Sequence, residues 1–125
     1  MSTPLQILLV EDNPDHAFLA CRALENSGAE VAIAHVQDTQ AALDYLYNSS
    51  TLPDGILLDI KLPGRDGFTL LALLKEDERT QNIPVVLLTS SPIPSDIERG
   101  AQLGAASYFT KPVDAKAVLE IFNQN

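Results

Sequence analysis

Leu5-Gln6-Ile7-Leu8-Leu9-Val10-Glu11-Asp12-Asn13-Pro14 holds a strand, the end of that strand and the start of a helix. The unbroken apolar run Ile7-Leu8-Leu9-Val10 suits a strand covered on both faces, as in the middle of a parallel sheet. Two carboxylates stop it. Asn13 then reads as a helix N-cap, with Pro14 at the first helical position, where its missing N–H costs nothing. The stretch is therefore the first half of a βα unit.

The rest of the chain repeats the unit. Further strand candidates fall at 30–34, 55–59, 84–88 and 106–109, after the first at 5–10. Helical patterns fall between and after them, at 14–26, 39–47, 68–77, 95–103 and 115–122. Asp38 is a second N-cap signal, and Ser95 with Glu98 has the spacing of a capping box. Gly28 and Gly104 stand where left-handed residues would end the first and fourth helices. Ile56-Leu57-Leu58 and Val85-Val86-Leu87-Leu88 are as apolar as the first run, so these three strands should form the centre of the sheet. Alternating strands and helices predict an α/β fold, a parallel sheet with helices on both faces. No internal repeat or low-complexity tract interrupts the pattern, and residues 1–125 are expected to be a single domain with no effector domain.

Composition narrows the function. Eight Lys plus Arg against 17 Asp plus Glu give a net charge of −9, which repels nucleic-acid phosphates and anionic membranes. No leader or membrane-length apolar run is present, so the expected setting is the cytoplasm. The single cysteine, Cys21, sits in the apolar series Phe18, Leu19, Cys21 and Leu24 and reads as a buried thiol. It has no cysteine in the chain to pair with.

In open α/β sheets ligands bind beyond the carboxyl ends of the strands. There the sequence places Glu11 and Asp12 after the first strand, Asp59 at the end of the third, Thr89 and Ser90 at the fourth, and Thr110-Lys111-Pro112 at the fifth. Each has an ordinary reading alone, as a loop acid, a surface lysine or a strand cap. Together they form one constellation. Three carboxylates in a partly dry pocket need a cation. An all-oxygen donor set favours Mg²⁺ over Zn²⁺, and neither His16 nor His35 is expected to be a ligand. Asp59 is the candidate nucleophile toward a phosphoryl group, with Lys111 and the metal neutralising its oxygens and the Thr89 hydroxyl donating to one of them.

Leu9-Val10-Glu11-Asp12-Asn13-Pro14, Leu57-Leu58-Asp59-Ile60-Lys61-Leu62-Pro63-Gly64-Arg65-Asp66-Gly67, Val86-Leu87-Leu88-Thr89-Ser90 and Gly104-Ala105-Ala106-Ser107-Tyr108-Phe109-Thr110-Lys111-Pro112 are together highly specific. The chain resembles the receiver domain of two-component response regulators over essentially its whole length. The resemblance implies a flavodoxin-like (βα)₅ fold with strand order 2-1-3-4-5. It implies that Asp59 takes a phosphoryl group from a sensor histidine kinase. It also implies that Glu11, Asp12, Asp59 and the backbone carbonyl of Lys61 arrange Mg²⁺, and that Lys111 contacts the phosphate. The same resemblance makes the Lys111-Pro112 peptide cis and makes Thr89 and Tyr108 a switch pair, Tyr108 otherwise being a half-buried aromatic on an edge strand.

Similarity to stand-alone receivers associated with phytochrome-type kinases suggests a homodimer through the fourth helix, fifth strand and fifth helix. Val113, Val118, Leu119, Ile121 and Phe122 would then be apolar contacts, unless they simply cover the sheet. Pro92, Pro94 and Gly100 depart from the common pattern and predict a short or late-starting, locally mobile fourth helix. Ser90 is small enough to admit a phosphodonor, while Lys61 and Ser91 are placed to tune the phosphate's lifetime. A Mg²⁺-dependent phosphohydrolase would need a second acid where Lys61 stands, and extra residues for a substrate cap. A phosphate-independent interaction domain would have lost one of the key groups, and all are intact.

Overall fold

The computed structural model describes residues 3–62, 66–90 and 92–123. Five strands, β1 (Leu5–Val10), β2 (Val31–Val36), β3 (Gly55–Asp59), β4 (Val85–Thr89) and β5 (Ser107–Thr110), alternate with five helices. The helices are α1 (Pro14–Glu25), α2 (Thr39–Asn48), α3 (Gly67–Glu76), α4 (Pro94–Gln102) and α5 (Ala115–Phe122). All strand pairs are parallel and the sheet order is β2-β1-β3-β4-β5, with the three most apolar strands in the middle as expected.

Alternate residues of each central strand face opposite ways and build two cores. Leu8, Val10, Ile56, Leu58, Val85 and Leu87 pack with α2 and α3 residues such as Leu46, Leu71 and Leu74. Ile7, Leu9, Leu57, Val86 and Leu88 pack with Ala17, Ala20 and Leu24 of α1 and with Val118, Leu119 and Phe122 of α5. Continuous apolar strands are thus buried on both faces, which is why their sequence shows no polar alternation.

Asn13 caps α1 by accepting from the amides of Asp15 and His16, and Asp38 caps α2 by accepting from Ala41. Gly28 and Gly104 have φ of 92° and 99°, the left-handed conformation expected of them.

Four expectations need correction. β2 runs to Val36 instead of ending at 34, because it pairs with β1 from Leu5↔Val31 through Val10↔Val36 and its partner's length sets its own. In α1 the buried face is Ala17, Ala20 and Leu24, whereas Phe18 and Leu19 are 59% and 57% exposed and Cys21 is half-buried. Burial, then the Glu25 charge, pushes the Cys21 thiol up, away from the reactive thiolate. Ser95 does not cap α4: the helix starts at Pro94, with Ile93 at the N-cap and no side-chain cap bond. Proline's fixed φ and absent N–H suit that first position, so the helix begins a residue earlier than the capping-box spacing suggested.

The fourth correction concerns Gly100. α4 has nine residues, comparable to α3 with ten and α5 with eight, and is neither short nor late. Gly100 is buried, and a Cβ there would lie 2.5 Å from Leu87 Cδ1. Its lack of a side chain lets α4 approach β4. Arg99 caps this packing from outside, its guanidinium carbon 4.5 Å from the Phe68 ring centroid on α3.

The acidic pocket at the strand carboxyl ends

Sheet register gathers the candidate residues. Val10 pairs with Leu58 and Asp59 with Leu88, so Glu11 leaves β1 at the level at which Asp59 ends β3. One step further, Thr89 of β4 pairs with Thr110 of β5, and the Lys111 amide bonds the Thr89 carbonyl at 2.7 Å. Glu11 and Asp59 are almost fully enclosed, 2% and 6% exposed, Thr89 is 0% exposed, and Asp12 is exposed at the rim.

One oxygen from each of Glu11, Asp12 and Asp59 lies within 4.8 Å of the others, a spacing at which a small cation can bridge all three. The donor set is all oxygen, which suits a hard divalent ion and not a thiophilic one. Asp59 is also tied to its own loop, its Oδ1 accepting from the Lys61 amide at 3.0 Å.

Lys111 ties the pocket together. Its Nζ donates to Glu11 Oε1 at 2.5 Å and to Asp59 Oδ2 at 2.9 Å. Burial alone would lower the Lys111 pKa, but bonds to Glu11 and Asp59 outweigh it and hold the ammonium above its ordinary value. Burial, then the adjoining Asp59 carboxylate, pushes the Glu11 carboxyl up to about 7, against the opposing pull of Lys111. Two buried carboxylates share one ammonium, so the pocket carries excess negative charge, which favours a bound cation.

The Lys111-Pro112 peptide is cis, as the sequence resemblance implied. Tyr108 lies on β5 opposite Leu87, packed against the α3 side of the sheet. Its hydroxyl is buried without a hydrogen-bond partner among the described residues. Burial pushes its pKa up, with Thr89 and the Ile93 backbone close enough to offset part of the effect. Ser90 and Lys61 are exposed beside the pocket, whereas Ser91 and the motif residues Pro63, Gly64 and Arg65 lie outside the described residues. Val118, Leu119 and Phe122 are buried in the core, with Val113 and Ile121 packed against it. Val118, Leu119 and Phe122 therefore cover the sheet, while Val113 and Ile121 remain partly exposed. The exposed large apolar residues of the α4 region are Ile93 and Ile97.

Two histidines belong to the surroundings although neither is expected there from the motifs. His35 Nε2 bonds the Glu11 carbonyl at 2.7 Å, and His16 Nδ1 lies 3.1 Å from Lys111 Nζ. His16 had a usable signal: the first turn of a helix that follows a central strand necessarily stands over the strand ends. The pocket continues past His16 into a groove of about 420 Å³ between α1 and the loop after β5, walled by Leu19, Ala23 and Val113.

Residues 7–123 match the model of the response regulator receiver domain family. The chain is 42% identical over 124 residues to the probable methanogenesis regulatory protein FilR2 of Methanothrix harundinacea, covering 94% of this chain and 80% of that protein. Among solved structures it is similar to the phosphorylated cyanobacterial phytochrome response regulator RcpA, at 35% identity and a TM-score of 0.81, covering 96% of this chain and 89% of that one. It is similar too to the Mn²⁺-bound response regulator Rcp1, at 32% identity and a TM-score of 0.80, covering 95% and 89%. With its sheet order, its strand-end acids and its lysine all in the places this similarity requires, the chain belongs to the response regulator receiver domain family.

Proposed function

We propose that Asp59 is the phosphoacceptor of this signalling switch and that Glu11, Asp12, Thr89 and Lys111 complete its site. One observation carries the assignment: a single ammonium, Lys111, bonds the enclosed Asp59 and Glu11 carboxylates together at the ends of β3 and β1. An Asp59 carboxylate oxygen attacks the phosphorus of a kinase phosphohistidine. The P–N bond breaks, and the imidazole leaves with the electron pair and takes up a proton. The product is a mixed anhydride on Asp59, which water later hydrolyses to orthophosphate and the free carboxylate.

Lys111 donates to a phosphoryl oxygen once Asp59 Oδ2 no longer offers it a full negative charge. The Thr89 hydroxyl donates to another, and Tyr108 moves with it, its buried hydroxyl having no hydrogen-bond partner among the described residues. Glu11, Asp12, Asp59 and the Lys61 carbonyl would hold Mg²⁺, which when bound would supply neutralising charge to the phosphoryl oxygens. The oxygen-only donor set and the similarity to a Mn²⁺-bound receiver support this choice.

The kinase partner is a sensor histidine kinase, of phytochrome type by similarity to RcpA. The receiver domain acts in the cytoplasm through changed protein contacts. The acidic surface argues against nucleic acid as the partner, and among the described residues no helix is long and apolar enough to cross a membrane. Self-association through α4, β5 and α5 would use Ile93 and Ile97, the apolar residues left exposed there.

The test is labelling by acetyl phosphate, and binding of beryllofluoride, in Mg²⁺ with wild type, Asp59→Asn and Asp59→Ala. Wild type should be modified and both variants silent. A folded wild type that takes neither reagent refutes the assignment.

A further inference from the structure

An ammonium has three protons to donate and no lone pair to accept with. Lys111 gives one proton to Glu11 and one to Asp59, and Nζ lies 3.1 Å from His16 Nδ1, within reach of the third. Because the ammonium can only donate, His16 Nδ1 must present its lone pair. The ring is then neutral, with its proton on Nε2. His16 itself is fixed by α1, its amide donating to the N-cap Asn13 Oδ1 at 3.1 Å.

We propose that His16 is a positioning residue for phosphoryl transfer, its Nδ1 holding the third N–H of Lys111 so that the ammonium stays aimed at the Asp59 phosphoryl group. This rests on the reading of Asp59 as phosphoacceptor and Lys111 as its phosphate ligand. Lys111 carries its charge on a flexible stem, and two of its three partners change character during the reaction. Asp59 loses an anionic oxygen when it becomes an acyl phosphate, and Glu11 is shared with the metal when one is bound. His16 is the partner that stays the same. A carboxylate in its place would add a further negative charge to a pocket with two enclosed carboxylates and would compete with the phosphoryl group for the ammonium. A neutral imidazole orients the lysine without that competition.

Three substitutions separate this role from simple packing. Asn at position 16 places Oδ1 where Nδ1 stands, Gln carries its acceptor one carbon farther out, and Leu has none. In Mg²⁺ and acetyl phosphate, His16→Leu and His16→Gln should lower the saturating labelling rate by about tenfold, the loss expected for one hydrogen bond to a charged group. Half-saturation should stay unchanged, and His16→Asn should label at close to the wild-type rate. In long-range ¹H–¹⁵N spectra of wild type, the His16 proton should reside on Nε2. A His16→Leu rate equal to wild type, a His16→Asn rate as low as that of Leu, or a proton on Nδ1 overturns the inference and leaves the Asp59 assignment standing. A folded wild type that cannot be labelled overturns both.

Discussion

Gly67→Ala should loosen the strand that ends in Asp59 from the helix behind it. Gly67 opens α3 and its amide bonds the Ile60 carbonyl at 2.9 Å, directly after Asp59. A Cβ built there meets the Asp59 carbonyl oxygen at 2.5 Å and Ile60 Cα at 2.7 Å, against about 3.4 Å for an ordinary contact. The helix and the strand end would have to separate by most of 1 Å, and neither obstructing atom belongs to a flexible side chain. Overpacking of this kind costs about 1–3 kcal/mol, and backbone on the far side places it near the top of that range. Alanine recovers up to about 1 kcal/mol of helix propensity, leaving a net loss of about 2 kcal/mol. At an unfolding entropy of about 2.1 cal/mol/K per residue, that is a fall in Tm of roughly 8 °C for a chain of this length. Urea denaturation and thermal melts measure it, with Gly100→Ala as the comparison. There the obstruction is a Leu87 methyl that can turn aside, so the loss should be smaller. Gly67→Ala should also slow acetyl phosphate labelling, because the displaced backbone carries Asp59. Stability within about 0.5 kcal/mol of wild type, the usual range for unconstrained surface changes, would refute the close-approach reasoning.

Other expectations concern the pocket and its supports. Glu11 is pushed from 4.5 to about 7 by burial and Asp59, so between those values the folded protein keeps a proton the unfolded chain has lost, and this group's contribution to stability falls as pH rises through that window. Glu11→Gln cannot ionise, so in EDTA its stability relative to wild type should grow between pH 4.5 and 7, by an amount on the order of 2–3 kcal/mol; a difference that is flat with pH would refute the shift. Asp66→Ala removes the α3 cap, whose Oδ1 accepts from the Thr69 amide at 3.0 Å and its hydroxyl at 3.1 Å. It should cost about 1 kcal/mol in urea denaturation. Tyr108→Phe deletes a buried hydroxyl with no partner among the described residues and should leave stability unchanged or raise it by up to about 1 kcal/mol. A clear loss in the same assay would mean that the hydroxyl has a bond in solution.

Much of this protein was legible because its signals are local. Ile7 to Val10, Ile56 to Leu58 and Val85 to Leu88 announce doubly covered strands, Asn13-Pro14 and Asp38 announce helix starts, and Gly28 and Gly104 announce left-handed ends. Each depends on neighbours a few residues away, so the chain states them without help. The βα alternation then confines the carboxyl ends of the strands to one side, and that is enough to bring Glu11, Asp12, Asp59, Thr89 and Lys111 into one group.

The tertiary structure decided whatever depends on helix rotation and on how closely two elements approach. The apolar look of Phe18 and Leu19 could not reveal that α1 buries its alanines instead, and Ser95 with Glu98 could not reveal that Pro94 starts α4. Gly67 and Gly100 carry no side-chain signal; only the position of the strand behind each shows why nothing larger fits. The three partners of Lys111 stand 100, 52 and 95 residues away, and no periodicity links positions so distant. Strand register sets two of those contacts and the rotation of α1 sets the third. The sequence alone supplied the acids and the lysine; the packed sheet joined them to His16, because only folding fixes which side chains share the last few ångströms.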